Sequence, residues 1–299
     1  MTNIQILLEE PIFALQLLID GVLIGAVFAL AAYGMALVWG VMNVINVAQG
    51  EFVILGGYVA LYTYQAGVSP FFGIPAAAIV MFAVGWIVYR AVVSRVVDKD
   101  LFTSLLATFG VSILFAQLAN QLFGADMQSI DPALGTLNLF DNQITVSLIK
   151  VVSFCLTLVI GALLVLFLRR ARLGQAIRAT AQNARAARLM GIDTDRIYAM
   201  TFSINAAICG AAGALVVMTW VIHPYIGLTY TIRSFMIVVV AGLGNLATLF
   251  VAALGLGVAE NFAGFILGAQ AQLAFVFLLL VAILVGRSLR MRRQRKVLR

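Results

Sequence analysis

Long apolar runs dominate this sequence, and they constrain its fold more than any other feature. The first run extends over residues 12–39 and contains one charged side chain, Asp20. A run of about 20 apolar residues is long enough for a helix to cross a bilayer. Because the hydrocarbon core offers no water to backbone N–H and C=O groups, a spanning chain must form helices or a closed barrel. The runs are continuous rather than alternating, which favours helices.

Composition excludes an ordinary soluble protein. A length of 299 residues would suggest two soluble domains, but 63% of the residues are hydrophobic and only 10% are charged. The mean hydropathy of +1.08 is far above what a soluble core requires. We therefore predict an all-α, polytopic transmembrane bundle that forms a single domain over residues 1–299. The first apolar run is too long for a signal peptide and lacks a basic segment before it.

The net charge of +7 is concentrated in three stretches of the chain. Of the nineteen Lys and Arg residues, three lie in 90–99, seven in 169–196 and seven in 287–299. This clustering is typical of the cytoplasmic loops of membrane proteins and not of a nucleic-acid-binding groove. We predict that the loop 169–196 and the basic tail 287–299 are cytoplasmic, that the tail can contact anionic lipid headgroups, and that nucleic acid is not a partner.

The side of each loop allows the crossings to be counted. Residues 124–143 contain three acids and no basic residue, which fits the external side. Nine crossings then follow, five before 169–196 and four after it, with an external N-terminus. The predicted spans cover about 12–39, 51–64, 71–93, 102–123, 145–168, 197–221, 233–243, 247–266 and 271–286. If the short second segment is re-entrant, the total becomes eight and the N-terminus moves inside.

An external turn is predicted between the sixth and seventh of these spans. It comprises His223, Pro224, Tyr225 and Gly227. Glycines are frequent in the region that follows, which favours close helix contacts or a broken helix there.

The polar stretch 169–196 has the pattern of a short helix. Asn183 is a good N-cap for a helix over 184–190, and Gly191 is a good stop because glycine readily adopts the left-handed conformation. Ala184, Ala187 and Gly191 have the spacing of one face of small residues. A polar face beside it carries Arg178, Gln182 and Arg185. Such a helix can fit a groove on another protein; a solvated loop that only determines topology is the alternative.

Polar side chains also interrupt the apolar runs at two places. The first set comprises Asn43, Asn46, Gln49, Gly50 and Glu51, of which Asn43, Asn46 and Gly50 would share one helical face. The second set is Glu260 and Asn261. A carboxylate at the centre of a membrane helix costs about 2.5–3.5 kcal/mol, so both acids are expected to face protein or water. They either line a translocation path or its gate, or form hydrogen bonds that hold the helices together.

No catalytic motif is present in the sequence. It contains no Walker A, HExxH, GxSxG or dinucleotide-binding pattern. The single His223 and the two cysteines, which lie in apolar runs, give no metal-ligand spacing. We predict that the chain is not an enzyme and binds no metal or cofactor, so that any ATP hydrolysis takes place on another chain.

Residues 43–60, 178–193 and 238–262 together resemble three segments of the branched-chain amino acid ABC permeases, and most closely those of the LivH-type subunit. Residues 43–60, NVINVAQGEFVILGGYVA, are similar to the N-x-A-x-G-[DE]…G-[GA]-Y segment of that family. Residues 178–193, RATAQNARAARLMGID, resemble its ATPase-contacting loop, and residues 238–262 resemble its glycine-rich segment. The order and spacing of the segments match over nearly the whole chain.

This resemblance implies a permease subunit of an ATP-driven importer in a bacterial inner membrane. The implied partners are a second, homologous permease, two cytoplasmic ATPases that bind the ATP, and a periplasmic binding protein. By position, Ala186, Ala187 and Gly191 would belong to the coupling helix that contacts an ATPase. Residues 46 and 49–51 would lie near the translocation path.

The sequence departs from the family pattern at several positions, and these leave the substrate open. Gln49 stands where the family often has histidine, and Ala241 stands where it usually has glycine. Urea, amides or aromatic acids are therefore alternatives to branched-chain amino acids. A secondary transporter or channel is the alternative from another class, with Glu51 and Glu260 as its only candidate ion-coupling groups.

Overall fold

A computed structural model describes residues 3, 7, 9–97, 99–139, 144–243 and 245–297, with the backbone alone at 139, 273 and 287–297. In these ranges the longer helices are α1 (Pro11–Met42), α2 (Gln49–Gln65), α3 (Gly73–Ala91), α4 (Leu101–Phe123), α5 (Leu148–Arg170), α6 (Arg172–Gln182), α7 (Ala184–Leu189), α8 (Thr194–Thr219), α9 (Gly227–Ala241), α10 (Leu246–Leu267) and α11 (Gln272–Val297). Short 3-10 turns occupy Pro70–Phe72, Val93–Arg95 and Ala269–Ala271. Two strands, β1 (Thr136–Leu139) and β2 (Ile144–Ser147), complete the described elements.

The described helices confirm the predicted polytopic bundle. Seven of them, extended in places by adjoining turns, are long and apolar enough to cross a membrane. The helices α2 and α9 are shorter, with 17 and 15 residues. The number of crossings and the side of the N-terminus stay predictions.

A small antiparallel hairpin is an addition to the predicted all-α architecture. Thr136 pairs with Ser147 and Leu139 with Ile144, so the fifth predicted span begins as a strand and becomes helical only at Leu148. The backbones of Gln128 and Ile222 also pair: the nitrogen of each donates a hydrogen bond to the carbonyl oxygen of the other, with nitrogen-to-oxygen distances of 2.9 and 2.8 Å. We call this end of the bundle the hairpin end; α6 and α7 lie at the other end, between α5 and α8.

Helix α8 is the centre of the bundle and packs against α1, α2 and α3. Glycines allow its backbone to approach that of α2. A Cβ atom on Gly56 would meet the backbone of Gly210, and one on Gly213 would lie 2.6 Å from the nitrogen of Gly57 as well as against the carbonyl of Val53. In lipid, such small-residue contacts drive helix association because apolar side chains gain little by leaving the hydrocarbon.

The same kind of contact joins α1 to α10. A Cβ atom on Gly21 would lie 2.6 Å from Cα of Val258, and one on Gly25 would lie 2.5 Å from the carbonyl oxygen of Ala253. The backbones of α2 and α8, and those of α1 and α10, are therefore in direct contact. One helix of each pair, α2 and α1, adjoins the non-helical residues 43–48.

Helices α2 and α9 begin inside the bundle. Asn43 ends α1 in the left-handed conformation, with φ of 52°, and residues 43–48 are not helical. The predicted helical face shared by Asn43, Asn46 and Gly50 is therefore wrong. In the second half, 220–226 are also non-helical, and α9 begins at Gly227, which lies against Gly50.

The assignment of Gly227 to an external turn is therefore wrong too. The glycine is buried and starts a helix, and a Cβ atom at Gly50 would meet its carbonyl oxygen. The apolar pattern could not reveal this, because a short extended segment inside a bundle has the same composition as one that turns at the surface.

Polar side chains mark the start of several helices. Asp100 caps α4 by accepting hydrogen bonds from the backbone nitrogen and the hydroxyl of Thr103 at 3.1 and 2.6 Å. These bonds, the hydroxyl first, lower the pKa of the exposed Asp100 carboxyl because they stabilise its charged form. Asn245 caps α10 in the same way.

The packing of α2 on α8 can be tested with a matched pair of glycine substitutions. Gly213→Ala is expected to lower the melting temperature of the purified protein by about 3 °C or more, because the added methyl group overlaps the backbone of α2. Gly255→Ala is the control, since no atom lies within 4 Å of its Cβ position and alanine favours the helix. Equal melting temperatures for the two variants, measured by tryptophan fluorescence, would contradict the packing.

Candidate functional site

A cluster of buried polar side chains lies where α2 begins. The Gln49 amide donates hydrogen bonds to the carbonyl of Ala31, at 2.7 Å, and to Oδ1 of Asn205, at 2.9 Å. Its own carbonyl accepts from Nδ2 of Asn46 at 3.1 Å, and Oδ1 of Asn46 accepts from the backbone of Ala48 at 3.2 Å. Because Ala31 and Asn205 lie in the interiors of α1 and α8, Gln49 joins three helices at the middle of the bundle.

Two threonines satisfy the backbone of the non-helical segment before α2. Thr108 of α4 accepts a hydrogen bond from the nitrogen of Val47 at 3.2 Å and donates to the carbonyl of Ile45 at 3.0 Å. Thr231 of α9 donates to the carbonyl of Val47 at 2.9 Å and accepts from the nitrogen of Gly50 at 2.8 Å. An unsatisfied backbone group in a membrane costs several kcal/mol, so these bonds allow the helix to start here.

We call Asn46, Gln49, Thr108, Asn205 and Thr231 the polar junction. Among the described atoms, Nδ2 of Asn205 is buried without a hydrogen-bond partner. Such a group is uncommon in a folded protein, so one donor of the junction is left without a hydrogen bond in the described structure.

Glu51 lies at the edge of the polar junction, and its side chain is buried. One carboxylate oxygen accepts a hydrogen bond from the hydroxyl of Ser112 at 3.2 Å. A Cβ atom on Gly227 would meet both carboxylate oxygens, so glycine is needed for α9 to begin beside this acid. The predicted path residues Asn46, Gln49, Gly50 and Glu51 therefore lie together within the chain, whereas Asn43 is exposed at the end of α1. That they line a path stays a prediction.

The second predicted polar set has two different environments. Glu260 accepts hydrogen bonds from Nε of Arg233 on both carboxylate oxygens, at 2.9 and 3.0 Å. Asn261 donates to the carbonyl of Leu17 at 2.7 Å and so ties α10 to α1. Arg233 and Glu260 line a cavity of about 350 Å³.

Sequence reasoning missed both partly buried ion pairs of the described bundle, the first of which joins Arg233 to Glu260. The second pair joins Lys150 to Asp20 at 2.6 Å, between α5 and α1. In each pair, a single acid and a single base interrupt separate apolar runs. Their opposite charges are the signal from which the pairing could have been predicted. In the described part of the chain, no group of three His, Cys, Asp or Glu side chains could hold a metal ion.

The predicted short helix is present at the end opposite the hairpin. Oδ1 of Asn183 accepts a hydrogen bond from the nitrogen of Ala186 at 3.0 Å, and Gly191 has a φ of 84°, which confirms the predicted start and stop. Asp193 then caps α8 by accepting from the nitrogen of Arg196 at 3.1 Å. Arg178 is exposed on the preceding helix α6.

The exposed face of α7 differs from the predicted one. Ala187 is only 5% exposed because α7 turns it toward α6 and α8, so the predicted docking face of small residues is wrong at this position. The exposed side carries Ala186, with Leu189 and Met190 at the C-terminal end of the helix, 85% and 83% exposed. We call Ala186, Leu189 and Met190 the α7 knob. Spacing alone identified the helix but could not reveal which face packs inward.

A solved structure shares the fold of this chain. It is described as PsaBC from Streptococcus pneumoniae in complex with Fab, and the match has a TM-score of 0.51 with 12% sequence identity, covering 94% of each chain. At this identity the likeness concerns the fold alone.

Curated relatives are similar over almost the whole length. The high-affinity branched-chain amino acid transport system permease protein LivH of Escherichia coli K12 is 30% identical, over 93% of this chain and 94% of its own. The corresponding LivH protein of Salmonella typhimurium has the same identity and coverage. The permease protein BraD of Pseudomonas aeruginosa is 32% identical, over 91% of this chain and 94% of its own.

A family model gives the same result. The model for the permease component of branched-chain amino acid transport systems matches residues 17–285, which include the polar junction, the α7 knob and the Arg233–Glu260 pair. This chain belongs to the family of branched-chain amino acid transport permease components.

Proposed function

We propose that this chain is the membrane-spanning permease subunit of an ATP-driven, binding-protein-dependent importer of branched-chain amino acids or related small solutes. It forms half of the translocation path beside a second, homologous permease in a bacterial inner membrane. ATP is bound and hydrolysed by two separate cytoplasmic subunits. The observation that carries the proposal is an exposed apolar α7 knob in the basic segment 169–196 of a member of this permease family.

The α7 knob has the chemistry of a docking surface. Leu189 and Met190 are the most exposed large apolar side chains of the described bundle, and exposed Arg185 lies beside them. Apolar side chains rimmed by charge are typical of protein interfaces and not of solvated loops. The basic residues of 169–196 favour a cytoplasmic position for this end, and those of 287–299 favour the same side for the tail.

Helix α7 is held rigidly enough to transmit force. Asn183 caps its start, Ala187 is buried against the chain, and Nε of Arg188 donates to the hydroxyl of Thr194 at 2.5 Å, the first residue of α8. A displacement of the α7 knob therefore moves α8. Since Asn205 of α8 contacts Gln49, that movement reaches the polar junction.

The polar junction then passes the movement to α2 and α9. Both helices begin there and are joined by the Gly50–Thr231 hydrogen bond. Closure of the ATPase dimer would shift α8 and change the angle between α2 and α9, which alternately opens the path to each side. Alternating access of this kind requires an element with two arrangements, and helices that begin in mid-bundle can rotate without breaking a long helix.

The binding protein docks on the hairpin end in this account. Residues 124–139 and 220–226 form that surface and are joined by the Gln128–Ile222 pairing. The loops expected to contact the binding protein are 124–143 and 222–232. Residues 140–143 lie outside the described part of the chain, and Gly227 onward belongs to α9. Branched-chain amino acids are the proposed substrates because the relatives carry that name, with urea, amides and aromatic acids as alternatives of the same family.

A secondary transporter is the second candidate, and the interrupted helices are the observation that favours it. In secondary transporters, short helices that begin near the bilayer midplane form substrate and ion sites. Here α2 and α9 meet beside the carboxylate of Glu51.

Reconstitution separates the two candidates. Proteoliposomes that contain this permease, its partner permease, the ATPases and the binding protein are expected to accumulate L-leucine only when ATP is supplied. An imposed proton or sodium gradient without ATP should give no uptake. Gradient-driven uptake by this chain alone would establish the secondary transporter instead.

Docking by the α7 knob predicts an effect that depends on position. The double change Leu189→Ser and Met190→Ser removes the apolar contact, and we expect ATPase co-purification and ATP-driven uptake to fall by about tenfold or more. Met127→Ser is the matched control for ATPase co-purification alone, because this methionine is 71% exposed at the hairpin end, where the binding protein and not the ATPase is proposed to dock. Unchanged ATPase co-purification in the Leu189/Met190 variant, or an equal loss of ATPase co-purification in the Met127 variant, would refute docking at α7.

A further inference from the structure

The cavity beside Arg233 and Glu260 has the composition of a ligand site. It lies between α1, α9, α10 and the start of α11, under the non-helical segment 220–226, and has a volume of about 350 Å³. Its lining brings together an ion pair, an amide and three aromatic rings: Phe28, Trp220, Tyr230, Arg233, Glu260 and Asn261. We propose that this cavity binds a small zwitterionic amino acid with an apolar side chain as it passes through the permease.

Arg233 has donors to spare for a carboxylate. Its Nε donates to Glu260, and its guanidinium carbon lies 4.7 Å from the ring centre of Phe28 and 5.7 Å from that of Tyr230. Arg233 lines the cavity, and among the described residues its two terminal nitrogens have no hydrogen-bond partner. A guanidinium carries five N–H donors in a fixed fork that fits a carboxylate with two parallel bonds.

Glu260 supplies the complementary charge. Each of its carboxylate oxygens accepts one bond from Arg233, whereas a carboxylate has about four acceptor positions in all. An ammonium group can therefore bind beside the guanidinium without breaking the ion pair. The two charges side by side match the carboxylate and ammonium of an α-amino acid, and neither a neutral amide nor a simple cation uses both.

The walls of the cavity suit an apolar side chain. The rings of Phe28 and Trp220 are stacked with centroids 6.3 Å apart, and Tyr230 meets Phe28 edge-on at 6.4 Å. Ile24 and Ile226 add aliphatic surface to the lining. Predominantly apolar walls with a few convergent polar groups are typical of small-molecule sites.

The Arg233–Glu260 pair differs from the Lys150–Asp20 pair in its surroundings. Lys150 and Asp20 also form a partly buried ion pair, but they line none of the three described cavities. Buried ion pairs give little net stability, because desolvation of the charges offsets their attraction. The Arg233–Glu260 pair is in addition linked to the polar junction, since Tyr230 and Arg233 lie on α9 beside Thr231.

The inference rests on the proposed transport function, and its test has two readouts. Arg233→Met with Glu260→Met removes both charges together, so that no lone charge stays buried. In the complete reconstituted transporter, ATP-driven uptake of L-leucine is expected to fall by about tenfold or more, as for the loss of charged hydrogen bonds. The basal ATPase rate and the melting temperature should stay close to those of the unchanged transporter. Lys150→Met with Asp20→Met is the matched control and should transport normally.

The second readout is direct binding without the binding protein. Saturation-transfer NMR of the detergent-solubilised transporter should show contact with the methyl groups of L-leucine, and the Arg233/Glu260 double variant should lose it. 4-Methylpentanoate, which lacks the ammonium group, and 3-methylbutylamine, which lacks the carboxylate, should give weaker signals. Retained leucine contact and uptake in the double variant would overturn the proposal. If the unchanged transporter takes up no leucine with ATP, the proposed function fails, while the NMR result still decides whether the cavity binds the zwitterion.

Discussion

The rest of this structure depends on the satisfaction of backbone hydrogen bonds where two helices begin in the middle of the bundle. A chain in lipid has no water for its unpaired N–H and C=O groups, so a helix can start there only if side chains replace the missing partners. Thr108 and Thr231 supply hydrogen-bond partners for backbone groups of residues 45–50. Oδ1 of Asn46 accepts a hydrogen bond from the nitrogen of Ala48. The glycines at 50 and 227 then let the two starting helices touch.

The arrangement combines rigid and adjustable parts. The backbones of α2 and α8, and those of α1 and α10, are in direct contact at glycines. These helices can therefore slide little past each other. The polar junction is held instead by hydrogen bonds to side chains, and Nδ2 of Asn205 lacks a described partner there. A movement of α8 would therefore change the hydrogen bonds of the polar junction and leave the glycine contacts unchanged. Arg233, which lines the cavity, lies on α9 together with Thr231 of the polar junction. A ligand in the cavity and the hydrogen bonds of the junction therefore act on the same helix.

The sequence was sufficient for the helical membrane class, because apolar runs of that length have no other stable form. It also located α7, since Asn183 and Gly191 are local signals that depend only on the backbone. It was insufficient for the face of α7, for the helical interruption at 43–48 and for Gly227, because each depends on which neighbouring helix supplies a partner. The Arg233–Glu260 pair was missed for the same reason: the two residues are 27 positions apart and meet only through the packing of α9 on α10.

Hydrogen exchange over residues 43–50 tests the central claim most directly. The backbone nitrogens of Val47, Ala48, Gln49 and Gly50 all donate hydrogen bonds within the bundle, although none of residues 43–48 is helical. Their amides should exchange about a hundredfold more slowly than those of the exposed residues 125–127 in the same solubilised protein, whose backbone nitrogens donate no hydrogen bond to a described residue. Exchange of residues 47–50 at the rate of residues 125–127 would place the segment at the membrane surface and would contradict the account.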